Sequence, residues 1–342
     1  MQYQSPYEGS VAYVCSGAEP SGGGVSPRNT RLRGQSIIEY VLIIAIIGLV
    51  IVFAGPGVAG AIRNQFNLVG NTVNSGATGG TEGGASGDSS TGADSATVQA
   101  AVAKDAKDWT LDEQEAVARD IAKNGTSSIA YAKAKAAMDA ATKFSIKLTD
   151  GQTLEYRIIG INHDDLTDGS GKAGLTFLTT STGIRSCMNA TKTNAGGWEQ
   201  SDLRRKMNSG EIWNLMPSDF QSKVKPVRKL SHNVSGYTEK DDTVTATTDK
   251  LFLLSDSEIV PISYWVSSFP WTSSEGAQYE GFRGKVKSNY SSNSAISIGS
   301  VWWERSVSPG YPANFLRVNV SGGPLDGDFA TTSICVCPAW CF

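Results

Sequence analysis

The chain has 342 residues, with 30 Lys and Arg against 33 Asp and Glu and a formal charge of −3. Because this balance is close to neutral, it argues against a surface for nucleic acid or anionic lipid, and we expect no nucleic-acid partner. Hydrophobic residues make up 40% of the chain, which allows one large or two small domains with a packed core.

The first element in the chain is an apolar run from Gln35 to Phe53. At about 1.5 Å per residue, a helix of this length crosses the hydrocarbon core of a bilayer. Arg28, Arg31 and Arg33 precede it, so the positive-inside rule predicts a cytoplasmic N-terminus and export of the rest. Glu39 interrupts the run, and an unpaired carboxylate there costs on the order of 2–3 kcal/mol, so we expect it to have a functional partner.

The sequence from Arg31 to Tyr40 resembles the class III signal of Flp-type, or tight-adherence (Tad), pilins. The resemblance implies that a prepilin peptidase cleaves between Gly34 and Gln35 and removes residues 1–34 as a leader peptide. Residues 35–74 would be kept as a transmembrane helix that becomes the pilin stalk. In that family the carboxylate of a Glu-Tyr pair, here Glu39 and Tyr40, binds the N-terminal amine of a neighbouring pilin subunit.

Two alternatives to a pilin signal stay open. The first is a signal anchor in which Glu39 lies at the membrane interface. The second is an ordinary secretory signal with its cleavage site near Ala54, after the apolar run.

Residues 75–96 consist almost wholly of Gly, Ser, Thr, Ala and Asp, which predicts a flexible linker. A linker of that length reaches about 25 Å. Residues 97–143 are rich in alanine and are predicted to form a helical neck. A capping box at Thr110 and Glu113 starts one of its helices, and Asn124 with Gly125 ends it.

Residues 144–342 are predicted to form a mixed head domain of strands and helices. Short runs rich in β-branched and aromatic residues, bounded by Gly, Asp or Asn, indicate the strands. The predicted strands are Phe144 to Leu148, Leu154 to Ile161, Leu175 to Leu178, Val224 to Leu230, Lys250 to Leu254, Val301 to Arg305, Phe315 to Val320 and Ile334 to Phe342. The predicted helices are Ser201 to Met207 and Pro217 to Ser222.

Several motifs of the head resemble a C-terminal domain family of bacterial surface proteins, a branch of the C-type-lectin and formylglycine-generating-enzyme fold. They are Gly197-Trp198-Glu199, Phe269-Pro270-Trp271-Thr272, Trp302-Trp303-Glu304-Arg305-Ser306 and Cys337-Pro338-Ala339-Trp340. The expected fold class is therefore α+β: a long N-terminal pilin-type helix, a flexible linker, a helical neck and a C-type-lectin-like mixed head domain. Trp302, Trp303 and Trp340 are expected in the core, and Glu304 with Arg305 as a structural ion pair.

The segment from about 308 to 334 contains no Lys, Glu, Gln, Met or Trp. All its residue types can be encoded by changing adenines in an Asn-type codon, and it precedes a closing strand. In both respects it resembles the variable region of target proteins of diversity-generating retroelements. The alternative is a Gly-rich surface loop that lacks long polar side chains.

The resemblance implies a ligand-binding surface on which alternate residues face solvent. Leu316 and Val318 are expected to hold the core. The predicted contact residues are Tyr311, Pro312, Ala313, Phe315, Arg317, Asn319, Ser321, Leu325, Asp326, Asp328, Phe329, Thr331 and Thr332.

Four cysteines follow the predicted cleavage site: Cys187, Cys335, Cys337 and Cys341. An even number in an exported chain suggests a disulfide from Cys187 to one of the other three. A zinc site built from those three is the alternative, although the Cys-x2-Cys spacing is missing.

The sequence offers little support for catalysis or for a cofactor. His163 and His232 lie in polar segments outside any nucleophile or metal motif and are expected at the surface. The cluster of His163, Asp164, Asp165 and Asp168 could bind Ca²⁺, although it lacks the Gly and Glu of a known calcium loop. No other metal is expected.

Together these features predict a pilin-like surface adhesin that is not an enzyme. It would display a diversified C-type-lectin-like domain on a Tad-type pilus at the cell surface, anchored in the membrane before assembly. Its expected partners are the prepilin peptidase, other pilin subunits and an unknown protein or glycan ligand on another cell, phage or host surface. Two other functions stay open: a surface-anchored enzyme of the formylglycine-generating type, and a structural minor pilin.

Overall fold

The computed structural model describes residues 90–233, 244–289 and 292–342. The predicted cleavage and assembly residues Gly34, Gln35, Glu39 and Tyr40 lie outside these ranges, as does most of the predicted linker. In the part of the chain that is described, no helix is both long enough and apolar enough to cross a membrane.

Three helices open the described chain: α1 (Ser90–Ala103), α2 (Leu111–Asn124) and α3 (Tyr131–Asp139). Helix α1 begins inside the predicted linker, so residues 90–96 are helical and the linker boundary at 96 was wrong. Gly92 is the last glycine of this segment, and the Ala-rich sequence that follows it favours a helix.

The predicted capping box begins helix α2. The Thr110 hydroxyl accepts from the Glu113 backbone N–H at 3.2 Å, and Glu113 Oε2 accepts from the Thr110 N–H at 2.7 Å. The helix ends at Gly125, whose φ of 56° favours glycine. The cap and stop signals in the sequence therefore fixed both ends of this helix.

The helices share one hydrophobic core with the strands that follow. Trp109 stacks on Phe144 with ring centroids 6.2 Å apart, and the Tyr156 hydroxyl donates to Gln114 Oε1 at 3.0 Å. A Cβ added at Gly174 would lie 1.8 Å from the backbone oxygen of Ala118 in α2. Glycine at 174 therefore lets the helix lie directly against the sheet.

The first sheet has the order β1 (Phe144–Lys147), β2 (Thr153–Ile161), β3 (Leu175–Thr179), β11 (Ala339–Cys341), and all its neighbours are antiparallel. The last strand of the chain thus pairs with β3 in the first part of the head. This pairing stacks Trp340 on Phe177 at 5.7 Å.

The second sheet has the order β4 (Arg185–Ser186), β10 (Ile334–Cys335), β7 (Trp302–Val307), β8 (Asn314–Val318), β9 (Asp326–Phe329). Strand β7 is buried along its whole length. A hairpin of β5 (Val227–Ser231) and β6 (Thr245–Asp249) forms a third, two-stranded sheet. Among the described residues, five short α-helices lie between these strands: α4 (Gly197–Gln200), α5 (Asp202–Asn208), α6 (Glu211–Leu215), α7 (Ser218–Lys223) and α8 (Asp256–Ile259).

Residues 250–254 are not a strand as predicted. Leu251 to Leu254 are fully buried but form only one bridge, from Phe252 to Ala339. These apolar side chains are buried between other elements of the head. The hydrophobic pattern alone does not distinguish such a buried segment from a strand. The described residues thus form a mixed structure of helices and three sheets.

Candidate binding surface

Residues 308–334 contribute the last two strands of the second sheet, and their loops carry the exposed side chains. Between β7 and β8 the backbone turns: Ser308 N–H donates to the Asn314 oxygen at 3.0 Å, and Tyr311 N–H to the Ser308 oxygen at 3.2 Å. The following hairpin pairs Asn314 with Phe329 and Arg317 with Asp326. The turn and the end of β9 therefore meet at one edge of the sheet.

Two aromatic side chains stand out from this edge. Tyr311 is 59% exposed and Phe329 is 45% exposed. Lys192, in the loop after β4, places its Nζ 3.3 Å from the centroid of the Phe329 ring, a cation–π contact. Lys192 was not predicted as a contact residue, because it lies more than 100 residues from Tyr311 and Phe329 along the chain.

A charged row lies on the hairpin. Arg317 is half-buried, 3.7 Å from an oxygen of Asp326 and 3.5 Å from one of Asp328. Its charge is therefore opposed by two carboxylates across the strand pair. We name Lys192, Tyr311, Arg317, Asp326, Asp328 and Phe329 the hairpin surface.

Hydrogen bonds connect the loop that contains Lys192 to the turn between β7 and β8 and to the residue after β9. Asn194 Nδ2 donates to the backbone oxygens of Tyr311 and Asn314, both at 3.0 Å. Asn189 N–H donates to the Ala330 oxygen at 2.9 Å. Because backbone oxygens accept these hydrogen bonds, the bonds can form whichever side chain residue 311 carries.

One predicted contact residue is wrong. Phe315 was expected to face solvent but is fully buried, as are Leu316 and Val318. Phe315 and Leu316 are neighbours on β8 and point to opposite faces, yet both are buried. Alternation therefore does not separate a solvent face there.

The remaining predicted contacts differ in exposure. The Asn319 side chain stabilises its own loop, because its Oδ1 accepts hydrogen bonds from the backbone N–H groups of Ser321 and Gly323 at 3.0 and 2.8 Å. Pro312 and Ser321 are exposed, and partly exposed positions are Ala313, Asn319, Leu325, Thr331 and Thr332.

A chain of buried charges lies in the head behind these strands. Lys229 Nζ is 2.6 Å from Asp164 and 2.5 Å from Glu258, and Glu258 is 2.5 Å from Arg305. Tyr279 donates its hydroxyl proton to Asp164 at 2.9 Å. We name Asp164, Lys229, Glu258 and Arg305 the buried ion network. The network was not predicted from the sequence, although Lys229 lies on the same face of β5 as the buried Val227 and Ser231.

The network sets the protonation of its members. Burial alone would raise the pKa of Asp164, but the charge of Lys229 outweighs it and lowers the pKa below its ordinary value. For Glu258, the charges of Arg305 and Lys229 likewise outweigh burial and lower the pKa. Both carboxylates are therefore ionised, and each opposes a cation.

Glu304 and Arg305 do not form the ion pair predicted from their adjacency. Neighbours on β7 point to opposite faces, and Arg305 is bound to Glu258 instead. Glu304 is fully buried, and neither of its carboxylate oxygens has a hydrogen-bond partner in the part of the chain that is described. Burial, with the nearby charges of Asp256 and Glu275, raises the pKa of Glu304 well above its usual value.

Two neighbouring acids share this environment. Burial raises the pKa of Asp256 to about 6 and that of Glu275 to about 7. The Glu275 carboxylate accepts from the Ser306 hydroxyl and, at 2.9 Å, from the His232 backbone N–H. Both acids therefore titrate in the neutral range.

A cleft of about 360 Å³ opens beside the buried ion network. His163 lines it, stacks on Tyr279 at 4.0 Å between ring centroids and lies 3.2 Å from Glu280. His163 is thus largely enclosed. His232, also expected at the surface, is buried and stacks on Trp271 at 4.0 Å, so that prediction was wrong.

The acidic cluster proposed for calcium is engaged otherwise. Asp164 binds Lys229, Asp165 pairs with Lys172 at 2.9 Å, and the Asp168 carboxylate accepts from Ser170 at 2.6 Å. Within the described ranges, no group of three or more His, Cys, Asp or Glu side chains could hold a metal ion.

The C-terminal cysteines are free thiols buried in the core, so the suggested disulfide from Cys187 to one of them does not form. Cys335 contacts Arg185 and Ser300, whereas Cys341 lies beside Thr176. Burial raises the pKa of the Cys337 and Cys341 thiols well above their usual value.

The predicted core tryptophans are confirmed, since Trp302, Trp303 and Trp340 are all buried. Two of them also anchor the second sheet through their indole N–H groups. Trp303 donates to the Ser186 oxygen and Trp302 to the Ile296 oxygen, both at 3.0 Å.

No curated protein and no solved structure matches the chain. Residues 173–341 match the family model of a domain of unknown function, DUF6273, so the part of the chain that carries the hairpin surface and most of the buried ion network is similar to that family.

Proposed function

We propose that the protein is a pilin-like surface adhesin whose hairpin surface binds a partner on another cell, phage or host surface. In this proposal the helix from Gln35 joins a Tad-type fibre through Glu39, and the head is a C-type-lectin-like domain. The proposal extends the resemblances in the sequence, and the described residues support its binding half.

The observation that carries the proposal is the separation of two kinds of residue within 308–334. Phe315, Leu316 and Val318 are fully buried and hold the strand, whereas Tyr311 and Phe329 are exposed. A surface built to vary requires this separation, because exposed side chains can change without loss of the core. Aromatic and arginine side chains also dominate binding energy at protein interfaces.

The competing proposal, a formylglycine-generating type of enzyme, has less support. Such chemistry would use a reactive cysteine pair, here Cys335 and Cys337. Both are fully buried. A reactive cysteine is normally a partly exposed thiolate in an electropositive environment, whereas burial raises the pKa of Cys337.

A structural minor pilin, whose head only primes assembly, is the third candidate. It needs no exposed aromatic pair on the head. The exposure of Tyr311 and Phe329 therefore favours a binding role.

Adhesion of cells that carry the full chain tests the binding half. We expect the double variant Tyr311→Ala, Phe329→Ala to lose at least tenfold in adhesion, at unchanged surface amounts. The matched control is Ile129→Ala, which removes another exposed apolar side chain, in the neck segment. Equal adhesion of the double variant and the wild type would contradict the proposed surface.

The diversification of the surface has its own test in the nucleotide sequence of the locus. We expect a near-identical template copy of the segment that encodes 308–334, beside a reverse transcriptase gene and differing from it at adenines. A locus without such a copy would leave the hairpin surface as a fixed binding site.

A further inference from the structure

Arg157, in the middle of β2, is a buried cation with no carboxylate partner among the described residues. The residue is 8% exposed. One of its terminal nitrogens donates to the Ala295 backbone oxygen, and its guanidinium carbon lies 5.6 Å from the centroid of the Phe282 ring. No described residue accepts a hydrogen bond from its Nε.

Such an arrangement is costly. Removing a charge from water without a counter-charge is unfavourable unless something replaces the lost solvation. The same burial lowers the pKa of Arg157 to about 10, which leaves the group protonated at neutral pH. The contrast with Lys229 and Arg305 is direct, since each of those buried cations contacts at least one carboxylate at 2.6 Å or less.

Arg157 lines a cavity of about 320 Å³. Thr180 lines it too, and its buried hydroxyl likewise has no hydrogen-bond partner within the described ranges. None of the described lining residues is acidic, and Lys143, the other cation there, is already paired with Glu155 at 2.7 Å. The apolar part of the lining is Ala141, Leu178, Ala295, Ile296, Ile298 and Trp302.

The Arg157 guanidinium and the Thr180 hydroxyl can both donate hydrogen bonds to a ligand. A guanidinium presents planar N–H donors that match the two oxygens of a carboxylate, and a hydroxyl can donate to the same oxygens. The volume lies at the small end of the range for small-molecule sites. The apolar lining favours a ligand with a short hydrocarbon part over an inorganic anion.

We propose that this cavity binds a small organic carboxylate, whose oxygens accept from Arg157 and Thr180 and whose short apolar chain lies against Ile298 and Trp302. The site is separate from the hairpin surface, and the proposal does not depend on adhesion. It makes Arg157 a binding residue and not only part of the core.

Calorimetric titration of the full chain in detergent micelles with sodium butyrate tests the proposal, with sodium chloride at equal ionic strength as the reference. We expect saturable binding by the wild type. Arg157→Gln should weaken it at least tenfold, and Thr180→Val should weaken it several-fold. The matched control is Arg283→Gln, which removes an exposed arginine that pairs with Glu280, and should bind butyrate as the wild type does.

Near-ultraviolet circular dichroism establishes that each variant is folded before titration. If Arg157→Gln does not fold, Thr180→Val carries the test, because it replaces a hydroxyl by a methyl of similar size. Saturable binding of butyrate that is equal in wild type and in the folded variants would overturn the proposal. So would an absence of saturable binding by the wild type, or binding of inorganic phosphate without binding of butyrate.

Discussion

Glu304 shows how one buried acid ties stability to pH. Its carboxylate is fully buried without a hydrogen-bond partner among the described residues, and the charges of Asp256 and Glu275 act on it. Since burial raises its pKa in the folded chain, the folded state holds a proton that the unfolded state releases above its ordinary pKa. The stabilising effect of that proton is complete below the ordinary pKa and is lost as the pH rises above it.

The variant Glu304→Gln removes this dependence. We expect the free energy of unfolding at pH 8 to rise by more than about 1 kcal/mol relative to wild type, and the two proteins to be nearly equal at pH 4. Denaturant unfolding across this pH range measures it. Glu155→Gln, at an exposed acid paired with Lys143, should shift stability by less than about 0.5 kcal/mol at either pH. A variant less stable than wild type at pH 8 would show that Glu304 has a compensating partner.

Lys229 gives the opposite case, a buried charge with two partners. Lys229→Met leaves Asp164 and Glu258 with less positive charge nearby, so we expect a loss of about 3–5 kcal/mol in the free energy of unfolding at pH 7. The control Lys172→Met breaks the exposed pair with Asp165 and should cost less than about 1 kcal/mol. Equal effects in a denaturant titration would argue against a buried network.

Strand β8 joins a core position to a surface position within five residues. Phe315 is fully buried, whereas Tyr311 in the preceding turn is mostly exposed. We expect Phe315→Ala to lower the free energy of unfolding by about 3–5 kcal/mol, and Tyr311→Ala to change it by less than about 0.5 kcal/mol. Thermal and denaturant unfolding of the two variants measure this. A similar cost for both would mean that the turn is part of the core.

Helix α2 lies on the sheet at a contact that needs glycine. The added Cβ of Gly174→Ala would collide with the Ala118 backbone oxygen, so we expect about 1–3 kcal/mol of destabilisation and faster amide exchange in α2. Gly183→Ala is the control, because its Cβ would meet only the flexible end of Gln152. Unchanged exchange in α2 would place the helix contact elsewhere.

At the scale of elements, the helices and strands were predicted from the sequence better than the burial of their side chains. The capping box at Thr110 and Glu113 and the strands at Phe144 and Leu175 were predictable because their signals are local. The burial of Phe315 and His232 was not, because it depends on which strands and loops cover them from far along the chain. The ion pair predicted from the adjacency of Glu304 and Arg305 was wrong, because these neighbours point to opposite faces of β7.

At the scale of the whole molecule, the binding surface was only partly predictable. The composition of 308–334 marked the segment, and Tyr311 and Phe329 do stand at the surface. Lys192 and the partners in the buried ion network were not predicted, because the groups that contact each other come from distant segments of the chain. The helices and the sheets share one hydrophobic core, so we expect the described residues to move as one body.

We propose that the helix beginning at Gln35 stays on the mature protein and becomes part of a fibre. N-terminal sequencing of the protein extracted from the cell surface tests this claim most directly. We predict a mature chain that begins at Gln35, immediately after Gly34. A chain that begins near Gly55, as cleavage of an ordinary secretory signal would produce, would contradict the account.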